Sequence, residues 1–193
     1  MPRTKQFKIE EAVTRAMHKF WHHGYAPTSM QDLVDCMGIG RGSIYDTFGS
    51  KHGLFLQALR YYMGLSHTGA VSMLAHAASP FAAISNTFEN AVTRALDDTT
   101  RNGCFLINTA LELSPHDREV ADLVTQGLTR IEKGFRALIE QGQKAGEISR
   151  SVDSDRTARS LLGLMIGLQV LARSRPEESL LRAIKHQAEA LLQ

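Results

Sequence analysis

The segment that most constrains this chain is Thr28 to Lys51, T-S-M-Q-D-L-V-D-C-M-G-I-G-R-G-S-I-Y-D-T-F-G-S-K. Thr28 followed by Gln31 has capping-box spacing and predicts a helix start. Met30, Leu33, Val34 and Met37 fall at i, i+3, i+4 and i+7, a single apolar stripe. Gly38 stands where a left-handed residue ends a helix. A tight Ile39–Gly40 connection then leads into a second short helix, Arg41 to Phe48. Gly49 stops that helix, and Ser50 is placed to cap a third. Two short helices on a glycine turn, with a longer one following at once, leave room for few folds.

The second helix of the pair is too polar to be explained by core packing. Ile44 and Phe48 make its apolar face. Arg41, Gly42, Ser43, Tyr45, Asp46 and Thr47 make the other. A cation, hydroxyls, a phenol and little bulk at the start suit a helix whose N-terminal end approaches base edges in a major groove. A glycine-turned helix pair by itself is also compatible with a connecting helix and a solvated face.

The rest of the chain reads as helix throughout. A first helix is expected from about Phe7 to His23, with Ile9, Val13, Ala16, Met17 and Phe20 as its stripe and Trp21 in the core beneath the pair. Residues 1–6 form a basic tail whose Arg3 and Lys5 either float free or reach phosphates. A long helix is expected over Lys51–His76, although Gly53, Gly64 and Gly69 weaken it. Ser79-Pro80 starts another, as far as Asp98. A short helix follows over Cys104–Leu113, and Ser114-Pro115-His116-Asp117 opens a longer one that ends near Gly146. Asp153 or Ser154 caps a helix that is apolar on most sides, so burial on more than one face is expected. Pro176-Glu177-Glu178 opens the last, with an acidic first turn. The expected fold is all-α with about nine helices. The last two offer more apolar surface than a small domain covers, which predicts a two-fold homodimer through them. Gly163 and Gly167, one turn apart, either permit close approach there or relieve crowding within the monomer.

Charge and cysteine content exclude little but point one way. The net charge of +2 is small, and all of it lies in residues 1–51, which hold seven Lys/Arg against five Asp/Glu. Cys36 and Cys104 are the only cysteines and have no metal or disulfide spacing, as suits a reducing cytoplasm. The start lacks a signal-peptide apolar core, and the longest apolar run, 161–172, is too short for a bilayer. Gly38-x-Gly40-x-Gly42 follows a helix and lacks the Lys-Ser/Thr of a phosphate loop. No nucleophile elbow, catalytic triad or carboxylate pair is visible. The sequence therefore predicts no enzyme and calls for no cofactor or metal. His18, His22 and His23 are read as boundary residues, not ligands.

The ordered run G-I-G-R-G-S-I-Y-D-T-F-G-S-K-H-G-L-F, preceded by A-M-H-K-F-W-H-H-G-Y, resembles the DNA-binding segment of the tetracycline-repressor (TetR) family of bacterial transcription regulators. The resemblance covers about the first fifty-five residues. It departs at Asp46, where many relatives carry His; an acid facing phosphate is unfavourable, so Asp46 either reads a cytosine amino group or points away. The resemblance implies a helix-turn-helix DNA-binding domain over 1–51 and an effector-binding and dimerisation domain over 52–193, with the long helix linking them. It implies double-stranded operator DNA as partner, and control by a small-molecule effector, most simply release of a repressor. Arg41, Ser43 and Tyr45 would then read bases, with less weight on Asp46. Gly42 lies among them, and Thr28, Ser29, Thr47 and Lys51 would hold the backbone.

The resemblance places an effector pocket among the middle helices, for which Tyr62, Met63, Phe88, Phe105, Asn108, Glu112, Met165 and Gln169 are the candidates. Asn108, Glu112 and Gln169 are the informative members, because buried polar groups need a partner. Asn102-Gly103-Cys104-Phe105 resembles a run in family members that sense electrophiles or oxidants. Cys104 is thus either a buried, inert residue or a redox sensor. Other readings of the chain are a small helical enzyme or ligand carrier whose helix pair is structural, and a regulator controlled by a protein partner.

Overall fold

The computed structural model describes the backbone of residues 2–97 and 99–193, and the side chains of residues 9–66, 77–97 and 99–193. Arg3, Lys5 and Asp98 fall outside the described side chains. Among the described residues all regular structure is α-helical, in nine helices. They are α1 (Pro2–His23), α2 (Met30–Met37), α3 (Arg41–Phe48), α4 (Lys51–His76), α5 (Pro80–Asp97), α6 (Phe105–Glu112), α7 (Arg118–Ala145), α8 (Ser154–Ser174) and α9 (Glu178–Ala190).

Most helix ends follow from the residues that stand there. Gly24, Gly38, Gly49 and Gly146 all take positive φ after a helix, the conformation glycine adopts without strain. Asp117 caps α7 by accepting from the Val120 amide, and Asp153 caps α8 by accepting from Arg156. Two expectations need correction. Helix α1 is helical from Pro2, so the tail is not separate from it. The cap of α2 is Ser29 with Asp32, one residue later than the Thr28–Gln31 spacing suggests. Thr28 is only 1% exposed, and its hydroxyl donates to Gly24 O at 2.7 Å. That inward bond hands the cap to the next hydroxyl.

Among the described residues two apolar cores lie along the molecule. The first joins α1 to α4 through Val13, Phe20, Leu33, Ile44, Phe55 and Leu59, and is completed by Phe105 and Leu106 of α6 and by Val120, Leu123 and Val124 of α7. It therefore continues well past residue 51. The second joins Ile84, Phe88 and Val92 of α5, Phe135 and Ile139 of α7, Leu161 and Leu168 of α8, and Leu181 of α9. Helix α7 contributes to both, which its length of 28 residues allows.

Within one chain helix α8 buries a single face, Thr157, Ala158, Leu161, Leu168 and Ala172. Leu162, Leu164, Met165 and Ile166 are only half-buried and Val170 is exposed. A Cβ at Gly163 or Gly167 would meet nothing within 4 Å, so these glycines relieve no crowding inside the monomer. The glycines expected to weaken α4 do not interrupt it. At Gly53 a side chain would collide with Phe48 O, so the α3–α4 corner requires glycine.

Candidate nucleic-acid interface

Helix α3 is held from behind by Ile44 and Phe48, both buried against the first core. This anchoring turns the opposite face outward. Arg41, Gly42, Ser43, Tyr45, Asp46 and Thr47 are all exposed, Tyr45 at 46%. Among the described residues, none of the side chains of Arg41, Ser43, Tyr45, Asp46 and Thr47 has a hydrogen-bond or ion-pair partner within the chain. A Cβ at Gly40 or Gly42 would meet nothing within 4 Å. The start of α3 is thus bare on its outer side. Its N-cap, Gly40, offers no side-chain oxygen, so the first-turn N–H groups are free for an outside acceptor such as a phosphate.

The remaining predicted contacts are placed differently. Ser29 is exposed, but its hydroxyl accepts from the Asp32 amide at 3.1 Å and donates to Asp32 Oδ2 at 2.6 Å. These bonds to Ser29, with Lys19 beyond, hold the Asp32 carboxyl far below the usual carboxylate range. Lys19 Nζ lies 3.1 Å from Asp32 Oδ1 and ties α1 to α2. Thr28 has no free hydroxyl to offer DNA. Lys51 is half-buried: its ammonium sits 4.4 Å from the centre of the Tyr25 ring and donates to Ala26 O at 3.5 Å. Partial burial lowers its pKa, opposed by the charges of Glu112 and Asp32.

The eight effector candidates are not all brought together. Tyr62, Met63 and Phe105 belong to the first core, whereas Phe88 and Met165 belong to the second. Asn108 Nδ2 donates to Asn102 O at 2.8 Å, and Gln169 Nε2 approaches Met165 Sδ at 3.9 Å. Glu112 is not buried. Its carboxylate accepts from the Tyr25 amide at 2.9 Å and the Ala26 amide at 3.0 Å. Two open grooves of about 440 and 540 Å³ lie at the first turn of α8 and between α1 and α4, and neither is lined by any of the eight. Cys104 is half-buried at the N-cap of α6 and accepts from Tyr62 Oη at 3.4 Å. Burial, and next the Cys104 sulfur, push the Tyr62 phenol far above its ordinary range. Cys36 is also half-buried, and burial raises its thiol pKa.

Sequence reasoning missed the joint between the first four helices and the rest. Besides Glu112, it uses Trp21 Nε1 donating to Asn102 O at 3.2 Å, and His52 Nε2 on Asp117 Oδ2 at 2.7 Å. Trp21 accordingly lies half-buried at this joint, edge-on to Tyr62, not beneath the helix pair. These partners are 65 to 87 residues apart, and no local pattern announces them.

A short helix pinned by two apolar residues, presenting a bare polar face beside a glycine turn, is the geometry of a helix-turn-helix DNA-binding module. Comparison with known proteins gives the same class. Residues 13–58 match the family model described as bacterial regulatory proteins, tetR family, and residues 80–187 match that described as the tetracyclin repressor-like C-terminal domain. The chain is 32% identical to the HTH-type transcriptional regulator YezE of Bacillus subtilis, over 90% of each chain. It is also 32% identical to the HTH-type transcriptional repressor ComR of Escherichia coli, over 89% of this chain and 82% of that one. Among solved structures it resembles the TetR family regulator CifR, a cysteine mutant complexed with 26-bp double-strand operator DNA. That likeness has a TM-score of 0.83 and 29% identity, over 94% of this chain and 95% of that one. The chain belongs to the TetR family of DNA-binding transcriptional regulators. Among the described residues no helix is long and apolar enough to cross a membrane.

Proposed function

We propose that this chain is a cytoplasmic repressor that binds operator DNA as a homodimer through α8 and α9, with residues 1–51 as the DNA-binding head and 52–193 as the body. Each head lays α3 into a major groove. Arg41, Ser43 and Tyr45 read base edges, with Asp46 beside them, while Gly42 lets the backbone come close. Thr47 and the free first-turn amides of α3 hold phosphates, and Lys51 adds charge from the start of α4. The half-buried apolar side chains of α8 around Gly163 and Gly167 form the dimer face. Two-fold pairing would set the heads about 34–36 Å apart, or a multiple of that.

The observation that carries this reading is the outward face of α3, whose polar side chains have no internal work. An effector releases DNA only if it binds the DNA-incompetent arrangement more tightly. The region of Tyr62, Met63, Phe105 and Asn108, where α4 meets α6, is where such binding would act on the head. A second reading, release by oxidation of Cys104, is favoured by the Tyr62–Cys104 bond in this same region. The test is selection of bound duplexes from a random pool. The expected result is a palindromic sequence whose affinity falls steeply with salt. An unenriched pool would overturn the reading.

A further inference from the structure

One of the places where the body grips the head is the turn that follows α1. Helix α1 ends at Gly24, which has φ +83°. Glu112, the last residue of α6, reaches this turn from the body. Its Oε1 accepts from the amides of Tyr25 and Ala26, and its Oε2 lies 3.2 Å from the Tyr25 amide. A Cβ at Gly24 would lie 3.1 Å from Glu112 Oε2, so the missing side chain makes room for the carboxylate. On the other side of the short α6–α7 connection, Asp117 accepts from His52 on the first turn of α4. Lys51 closes the group through the Tyr25 ring and Ala26 O. Thr28 fixes the far side of the turn on Gly24 O. The turn that launches α2 and α3 is therefore set by a carboxylate carried on α6.

We infer that Glu112 is a positioning residue, the clasp by which α6 fixes the angle of the helix-turn-helix on the body. It touches no DNA. It acts through the amides of Tyr25 and Ala26, and a displacement of α6 is passed to the head through those two bonds. This inference rests on the DNA-binding reading above. A clasp that sets head angle governs how two heads match one spacing, and leaves the chemistry of each α3 unchanged.

The experiment uses the full chain, the operator it selects from a random pool, the same operator with one base pair added at its centre, and a single half-site. Glu112→Ala is compared with Glu112→Gln, whose amide oxygen still accepts from both N–H groups. Expected for Glu112→Ala is a roughly tenfold loss on the full operator, the scale of one charged hydrogen bond. Discrimination against the lengthened operator shrinks, half-site affinity is unchanged, and amide exchange at Tyr25 and Ala26 accelerates. Glu112→Gln restores most of the affinity and protection. Unchanged spacing discrimination in Glu112→Ala, or half-site affinity falling in parallel with the full operator, overturns the clasp. If Glu112→Ala does not fold, Glu112→Gln and the parent are compared by exchange at the two amides, and equal lack of protection in both overturns it. A pool that yields no operator for the parent defeats the DNA reading itself, and amide exchange then still reports whether the clasp exists.

Discussion

Arg41 and Lys51 carry the same charge at the same end of the molecule, but the fold uses them differently. Arg41 is exposed with no internal partner, whereas Lys51 leans on Tyr25 and Ala26. Arg41→Ala is expected to cost about 1–3 kcal/mol on the selected operator and to relax preference at one base position. Lys51→Ala is expected to weaken all sequences alike. Titrations against the operator and its single-base variants separate the two, and a uniform loss for Arg41→Ala would refute its base-reading role. Ser29→Ala removes the cap of α2 and is expected to destabilise the chain by about 1 kcal/mol in urea unfolding; no loss would show the cap to be unimportant. Cys104→Ser that keeps a normal oxidant response would end the redox reading. At this scale the sequence was legible where one side chain meets its neighbours: the polar face of α3 and the glycine stops. It misplaced the cap because Thr28 and Ser29 are both good caps, and only the inward bond from Thr28 to Gly24 O decides between them. The bonds of Glu112 to the Tyr25 and Ala26 amides were not legible, since a polar residue at the end of an apolar helix looks the same whether it faces a pocket or a distant amide.

Helix α7 ties the two cores together, so its start matters to the joint. The Val120 amide, and further down His52, hold the Asp117 carboxyl below its ordinary range, against an opposing effect of burial. A depressed pKa contributes stability that is present above the unfolded value, near 3.9, and lost as pH falls through the folded value. Asp117→Asn is therefore expected to reduce the acid-side loss of stability below about pH 4, measured by urea unfolding across pH. An unaltered acid limb would contradict this role. Helix limits were largely readable because caps and glycines stand at them, as Asp153 and Gly146 show. Gly53 misled because a glycine inside a helical pattern normally weakens it; here the α3–α4 corner leaves no space for a side chain. What covers α8 was not legible, since apolar residues around a whole helix do not say whether one chain or two bury them.

The described residues form two cores, one behind α3 and its neighbours and one among α5, α7, α8 and α9, with α7 running through both. The all-helical class and the number of helices could be read from periodicity. The joining of α6 and α7 to the first core could not, because it depends on contacts far apart in sequence. The dimer proposal belongs to this scale. A Cβ at Gly163 or Gly167 meets nothing within 4 Å, so Gly163→Arg and Gly167→Arg are expected to leave the fold intact and abolish the dimer by sedimentation. A dimer that survives both would move the interface elsewhere. The number of heads that meet one duplex decides whether the chain binds as proposed. Hydroxyl-radical footprinting on the selected operator, with sedimentation of the same complex, is predicted to show two chains per duplex protecting two patches about 34–36 Å apart, or a multiple. One chain protecting one patch, or protection unchanged when Arg41, Ser43 and Tyr45 are all replaced by alanine, would contradict it.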